Sequence, residues 1–361
     1  MRIIRQGDAG EHVRDIQHRL LELGHRIDLS ELEGRFGLST EAAVRAFQRQ
    51  RGLPSDGLVG PDTWAELVEA GYRLGDRTLY LRSPWFRGDD VRELQRRLNA
   101  LGFDTGKEDG IFGPGTDAAV AEFQRNTGAE VDGIVGLDTI DALDRLRPAV
   151  EGPSRVVVRE TEEVLRPLGT IEGARIAIDA GHGAGEPGNV GPRGLVEAEA
   201  AFLLAADLAD ELRVRGAEPM ILRGADENPT PSDRARAANA LGAALCISLH
   251  LNAGEPEAEG ACCFYYGTES TWSPAGERLA EVIVEALATR LGLKDGRTHR
   301  LAIPLLRETQ MPAVQVEACF ITKPGEEKLL ADPSSRRELA ATIASAIERV
   351  FTPAPAEPPP S

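Results

Sequence analysis

The 361-residue chain is short of basic residues, of cysteine and of long apolar runs, and each shortage excludes a class of protein. Lysine plus arginine number 41 against 58 aspartate plus glutamate, a formal charge of −17. The deficit is general: 20 basic against 26 acidic residues over 1–150 gives −6, and 21 against 32 over 151–361 gives −11. Nucleic acid and anionic membrane surfaces are bound through a basic footprint, so neither is an expected partner. No apolar run approaches the roughly 18–20 residues that cross a bilayer, so no membrane span is expected. The opening residues, Met1-Arg2-Ile3-Ile4-Arg5-Gln6-Gly7-Asp8, turn polar too early for a signal peptide, and as written the chain reads as cytoplasmic. Cys246, Cys262, Cys263 and Cys319 all lie in apolar or strand-like runs of the second half, which reads as reduced core thiols and not a disulfide framework.

What the first 150 residues do have is a repeat. Residues 12–24 return at 90–102, with Val13, Ile16, Leu20 and Leu23 at helical spacing and a glycine after them where a C-cap would sit. The match resumes at a slightly shorter offset. Gly34, Phe36, Gly37, Ala43, Val44, Phe47 and Gln48 correspond to Gly110, Phe112, Gly113, Ala119, Val120, Phe123 and Gln124. Asp56-Gly57 then corresponds to Asp132-Gly133, before a third short helix opened by Thr63 or Thr139. Each unit is expected to be a compact three-helix module with Asp-Gly turns. The pattern resembles the peptidoglycan-binding-like domain of bacterial wall hydrolases, with Ile16 where the first copy would usually carry Leu. His12, His18 and His25 are expected on the surface of the first module.

From about residue 173 strands and helices alternate. Apolar strands are expected near 175–179, 219–222, 245–250, 261–266 and 313–318, with helices near 197–215, 232–241, 273–291 and 335–350. Such alternation predicts one α/β domain with a mainly parallel sheet flanked by helices, preceded by the two three-helix modules. The expected boundaries are 1–73 and 74–148 for the repeats, 149–172 for a linker with a short strand candidate at 156–158, and 173–351 for the α/β domain. The tail, 352–361, has five prolines in ten residues and is expected to be disordered.

Ligands collect at strand ends in such sheets, and three of these ends carry polar groups. Ile178-Asp179-Ala180-Gly181-His182 runs from a strand into a glycine turn. Glu197 opens a helix after a glycine-rich loop, and His250 closes a buried strand. Two imidazoles and a carboxylate converging on one sheet edge match a catalytic zinc site, whose fourth position is left for water. Glu317, at the end of a further apolar strand, suits a general base beside it.

In this order the motifs resemble the zinc-dependent N-acetylmuramoyl-L-alanine amidases of the Amidase_3 type. The resemblance rests on Asp-Ala-Gly-His-Gly (179–183), the Gly-x-x-Glu run ending at Glu197, Arg223, Arg234, Ala238-Asn239, Ser-Leu-His-Leu-Asn-Ala (248–253) and the stretch from Leu306 to Glu317. It implies Zn2+ held by His182, Glu197 and His250, with Glu317 as catalytic carboxylate. The implied activity is cleavage of the amide between N-acetylmuramic acid and L-alanine, with peptidoglycan as partner and the wall as site of action. The chain departs from the family pattern at Ala318-Cys319, at Lys323 and at Glu186, and the first two border Glu317. The span from Asn252 to Ala313 is expected to hold one strand, one helix and a loop carrying His299, which leaves no room for the autoinhibitory helix some relatives insert. Three other readings fit the same residues: a non-hydrolytic cytoplasmic sensor of wall-precursor synthesis, a phage-type lysin, and a zinc carboxypeptidase.

Overall fold

The computed structural model describes residues 2–146, 169–254, 258–268 and 271–351. The strand candidate at 156–158 and the proline-rich tail lie outside the described residues. The chain divides into two compact units.

The first unit holds both repeats. Helices α1 (Glu11–Glu22), α2 (Leu38–Arg51) and α3 (Pro61–Glu69) form one, and α4 (Asp89–Leu101), α5 (Pro114–Thr127) and α6 (Leu137–Arg145) form the other. Each has its own core, around Ile16, Leu20, Phe36, Val44 and Phe47 in the first and Leu94, Leu98, Phe112, Val120 and Phe123 in the second. Four buried glutamines account for the repeat's polar motif positions. Gln48 Nε2 donates to Asp56, to the Leu58 carbonyl and to Thr63 Oγ1, while its Oε1 accepts from the Gly57 amide at 2.9 Å. Gln124 does the same for the turn at Asp132-Gly133. Gln95 does the same for the turn at Asp109-Gly110, and Gln17 Nε2 donates to the Glu31 and Arg35 carbonyls and to Thr40 Oγ1. A buried amide without partners costs about 1–3 kcal/mol, so these glutamines fix turn geometry as firmly as the apolar residues fix the core. His12 and His18 are exposed as expected. His25 is not: it is partly buried edge-on to Phe47 at 6.0 Å, and burial, aided by Arg51, lowers its pKa. The chain turns back at Gly24 and tucks the ring against the core it was expected to leave.

Among the described residues of the second unit, six strands lie in the order β2-β1-β3-β6-β4-β5. They are β1 (Arg175–Ala180), β2 (Glu218–Ile221), β3 (Leu245–Asn252), β4 (Ala261–Tyr266), β5 (Asp295–Leu301) and β6 (Ala313–Phe320). Only the β4–β6 pairing is antiparallel. The helices are α7 (Glu197–Val214), α8 (Pro231–Ala240), α9 (Pro274–Leu291), α10 (Pro304–Glu308), α11 (Pro324–Ala331) and α12 (Pro333–Phe351). α7, α9 and α12 bury their apolar faces against one side of the sheet, and α8 and α10 cover the other, so both faces are dry. This is the mainly parallel α/β fold that the alternation predicted. All four cysteines are buried thiols outside any disulfide.

β5 corrects the sequence reading, which placed a loop there. Its residues, Asp-Gly-Arg-Thr-His-Arg-Leu, alternate only weakly between half-buried and exposed because it is an edge strand covered on one side by β4. With the short α10, the described residues from Asn252 to Ala313 therefore hold two strands and two helices. Charged residues on an edge strand discourage pairing with another chain, and that same polarity hid the strand from the apolar pattern.

The cap of α2 gives a test of the first repeat. Glu31 accepts from the amides of Gly37, Ser39 and Thr40 and from the Thr40 hydroxyl at 2.7 Å. Partial burial raises its pKa, but the Thr40 and Ser39 hydrogen bonds outweigh this and lower it to about 2. Its contribution is therefore complete above the usual carboxylate range and is lost as pH falls toward 2. Glu31→Gln should cost about 1 kcal/mol at pH 7, allowing for solvent screening, and the gap to the parent chain should close on acidification, read by thermal unfolding.

Candidate metal centre

The three strand-end groups meet at the carboxyl edge of the sheet. β1 ends at Ala180, and His182 follows in the left-handed region with φ 58°. Such a backbone costs an ordinary residue about 1–2 kcal/mol and persists only where its surroundings hold it. Two buried guanidinium groups hold this one. Arg234 donates to the His182 carbonyl at 2.6 Å, the Ala180 carbonyl at 2.5 Å and Asp179 Oδ1 at 2.7 Å. Arg223 donates to the carbonyls of Ala180, Gly181 and Ala198. Ser248 Oγ completes the Asp179 carboxylate at 2.6 Å. Thus the turn that carries His182 is tied to the segment after β2, to α8 and to β3 at once.

Glu197 stands at the first position of α7, where its carboxylate also complements the helix dipole. Its Oε1 lies 3.1 Å from His182 Nε2 and 3.3 Å from His250 Nδ1, and the two imidazoles are 5.0 Å apart between centroids. Oε1 also accepts from the Leu251 amide, and Oε2 from the backbone and side-chain nitrogens of Asn189. Burial raises the Glu197 pKa, but hydrogen bonds from both histidines and from the Asn189 and Leu251 amides outweigh it and hold the group ionised. The hydrogen bond to Glu197 in turn raises the His182 pKa against its own burial. Two glycines make the approach possible. A Cβ at Gly181 would sit 2.4–2.6 Å from the His250 ring, and one at Gly188 would meet His182 Cδ2 at 2.6 Å and Glu197 Oε2 at 2.7 Å.

These three ligand atoms all lie within 4.8 Å of one another, and among the described residues they form a group able to hold a metal ion. Two of the three separations lie well inside that bound. A tetrahedral centre with bonds of about 2.0–2.1 Å has edges of about 3.3–3.4 Å. The carboxylate-to-imidazole separations of 3.1 and 3.3 Å match such an edge.

Glu317 arrives from the neighbouring strand. It pairs in register with His250 across β3 and β6, and with Cys262 across β4 and β6. Gln315 Nε2 donates to its Oε1 at 3.0 Å, and Cys262 Sγ lies 3.6 Å from its Oε2. Burial raises the Glu317 pKa, with Gln315 and His250 opposing. Burial, reinforced by the Glu317 charge, pushes the Cys262 thiol up to about 12, so it stays a neutral donor. Sequence reasoning missed both partners. Gln315 was legible in principle, being two residues before Glu317 and so on the same face of a strand. Cys262 was legible only as a core thiol.

The remaining expected positions fall around this centre. Glu186 Oε1 lies 3.9 Å from His182 Nδ1, on the imidazole edge away from Glu197. Lys323 forms an ion pair with Glu259. Ala318 and Cys319 are fully buried. His299 lies on β5, separated from β6 by β4, where its Nε2 contacts the Gly296 carbonyl at 2.8 Å and its ring tilts against Phe264.

An α/β sheet with two histidines and a glutamate at its carboxyl edge, and a further half-buried carboxylate beside them, offers the donor set that mononuclear metal hydrolases use. Comparison with known proteins narrows the class. Residues 176–349 match the family model described as N-acetylmuramoyl-L-alanine amidase, and residues 9–67 and 87–143 match that of a peptidoglycan binding domain. The chain is 39% identical to the N-acetylmuramoyl-L-alanine amidase CwlM of Mycobacterium tuberculosis over 96% of its own length and 89% of that protein. It is 34% identical to CwlL of Bacillus licheniformis over 38% of this chain and 44% of that amidase. It is also similar, at 25% identity and a TM-score of 0.46, to an N-acetylmuramoyl-L-alanine amidase structure from Clostridium difficile 630, covering 49% of this chain and 95% of that one. The chain belongs to the N-acetylmuramoyl-L-alanine amidase family.

Because the His250 ring occupies the space a Cβ would take at Gly181, Gly181→Ala should displace that ring while leaving every ligand in the chain. Metal affinity should fall by roughly 10-fold or more, measured by competition with a chelating dye, as for other changes just outside a ligand set. Undiminished affinity would show that His250 does not depend on this close approach.

Proposed function

We propose that the protein is a zinc-dependent N-acetylmuramoyl-L-alanine amidase acting on peptidoglycan in the cell wall. In this reading His182, Glu197 and His250 hold the metal and Glu317 is the catalytic carboxylate. Residues 1–73 and 74–148 are wall-targeting repeats, 149–172 a linker, 173–351 the catalytic domain and 352–361 a tail. The observation that carries the proposal is the single Glu197 oxygen facing both imidazole nitrogens, with Glu317 in register beside His250. Among the described residues no helix is long and apolar enough to cross a membrane.

Zinc bound by these ligands would supply Lewis acidity, which lowers the pKa of a water toward ~7 and stabilises negative charge on a carbonyl oxygen. The residues of the chain do the rest. Glu317 takes the proton of the attacking water as its oxygen joins the carbonyl carbon of the lactyl amide. It then delivers that proton to the nitrogen of the departing L-alanine, and the carbon–nitrogen bond breaks. A carboxyl with a raised pKa suits the interval in which it must hold the proton. Gln315 and Cys262 engage one oxygen each, which holds the carboxylate in place while it changes charge.

Glu317→Ala should retain zinc and lose roughly 10²–10⁴-fold in release of free L-alanine amino termini from purified sacculi. Normal cutting by that variant would remove Glu317 from the mechanism. His182→Ala should lose zinc in an elemental assay. Product analysis also separates the amidase from a carboxypeptidase, which would release a terminal amino acid and expose no new L-alanine terminus.

A further inference from the structure

Although the two repeats share their core, they differ at one surface. In the first, Arg2, Ile4, Asp8, His12, Val13 and Trp64 line a groove of about 500 Å³, within the range of small-ligand pockets. The bridges Ile4↔Val59 and Leu79↔Val135 align the repeats here, so Arg77 corresponds to Arg2. By the repeat offsets Asp90 corresponds to His12 and Ile140 to Trp64.

In the second repeat the corresponding place is filled. Arg77 folds inward, with Nε 2.7 Å from Oδ2 of the fully buried Asp90, and stacks over Tyr72 at 3.8 Å and Phe86 at 5.0 Å. In the first repeat Arg2 stays 84% exposed and reaches Asp8 at the rim, and His12 is exposed. The glycines before α1 and α4 report the same contrast. A Cβ at Gly88 would meet Asp90 at 2.5 Å and Arg77 at 3.0 Å, whereas one at Gly10 would meet nothing within 4 Å.

We propose that the first repeat alone binds ligand in this groove, that the ligand is a sugar unit of the wall glycan, and that the second repeat is closed by its Arg77–Asp90 pair. A pyranose ring has an apolar C–H face and a rim of hydroxyl and acetamido groups that need both donors and acceptors. The groove matches both. Trp64 contributes a half-buried indole to the groove, the aromatic surface on which sugar C–H groups pack, with the Arg19 guanidinium 5.3 Å over its ring. Arg2 donates, Asp8 accepts and His12 does either. A purely apolar peptide segment would make no use of the spare donors of Arg2 or of the exposed His12 ring. The ligand's identity rests on the wall reading above, whereas the difference between the repeats does not.

The test uses the full-length chain carrying Glu317→Ala, so that sacculi are bound without being cut. Adding Trp64→Ala should weaken sacculus binding roughly fivefold to tenfold in a sedimentation assay. Ile140→Ala, at the matched position, should change it less than twofold. His12→Ala, on an exposed face where folding is not at stake, should weaken binding in the same direction. Soluble N-acetylglucosamine–N-acetylmuramic acid fragments should compete for binding, and free stem peptide should not. Equal effects at Trp64 and Ile140, no effect at Trp64 and His12, or competition by stem peptide alone would each overturn the proposal. Failure of the parent chain to cut sacculi or muropeptide would instead overturn the amidase reading.

Discussion

The catalytic domain is organised around one buried carboxylate. Glu197 is 1% exposed, ionised, and shared between two imidazoles from distant parts of the chain. A lone charge in that position would be costly to desolvate, so the surrounding structure must answer it. The answer comes from the Leu251 amide, the two Asn189 donors and the first turn of α7. The left-handed turn at His182 and the two small residues beside the rings are consequences of bringing three donors this close. The buried Arg223 and Arg234 act indirectly by pinning carbonyls, which keeps positive charge near the centre without placing a cation in it.

The carboxylate of Glu317 is set apart by environment. It is adjacent to His250 in register, yet burial raises its pKa whereas hydrogen bonds lower that of Glu197. The pKa values of two acidic side chains at one sheet edge are thereby shifted in opposite directions, the kind of divergence by which environment gives two carboxylates different roles. Gln315 and Cys262 belong to this division of labour because both are neutral and neither adds charge to the site.

The repeats show how a single architecture tolerates divergence at its surface. Their buried glutamines close equivalent turns with nearly identical bonds, since each Asp-Gly turn buries backbone groups that need partners. Surface positions carry no such obligation. Arg2 and Arg77 occupy equivalent places, and one reaches into solvent while the other packs on two aromatic rings.

Period and composition made much of this legible in advance. Helical spacing around Val13 and Val91, strand–helix alternation after residue 173, and histidines or glutamates at the ends of apolar runs all follow from local pattern, because a chain must bury its apolar face and place chemistry where that face stops. Polar β5 was invisible to that logic, since an edge strand is held by backbone pairing and needs no apolar pattern of its own. The partners of Glu317, the tucked His25 and the closed groove of the second repeat were equally out of reach. Each depends on which side chains from remote segments share a surface, and that is decided only when the sheet order and helix docking bring those segments together.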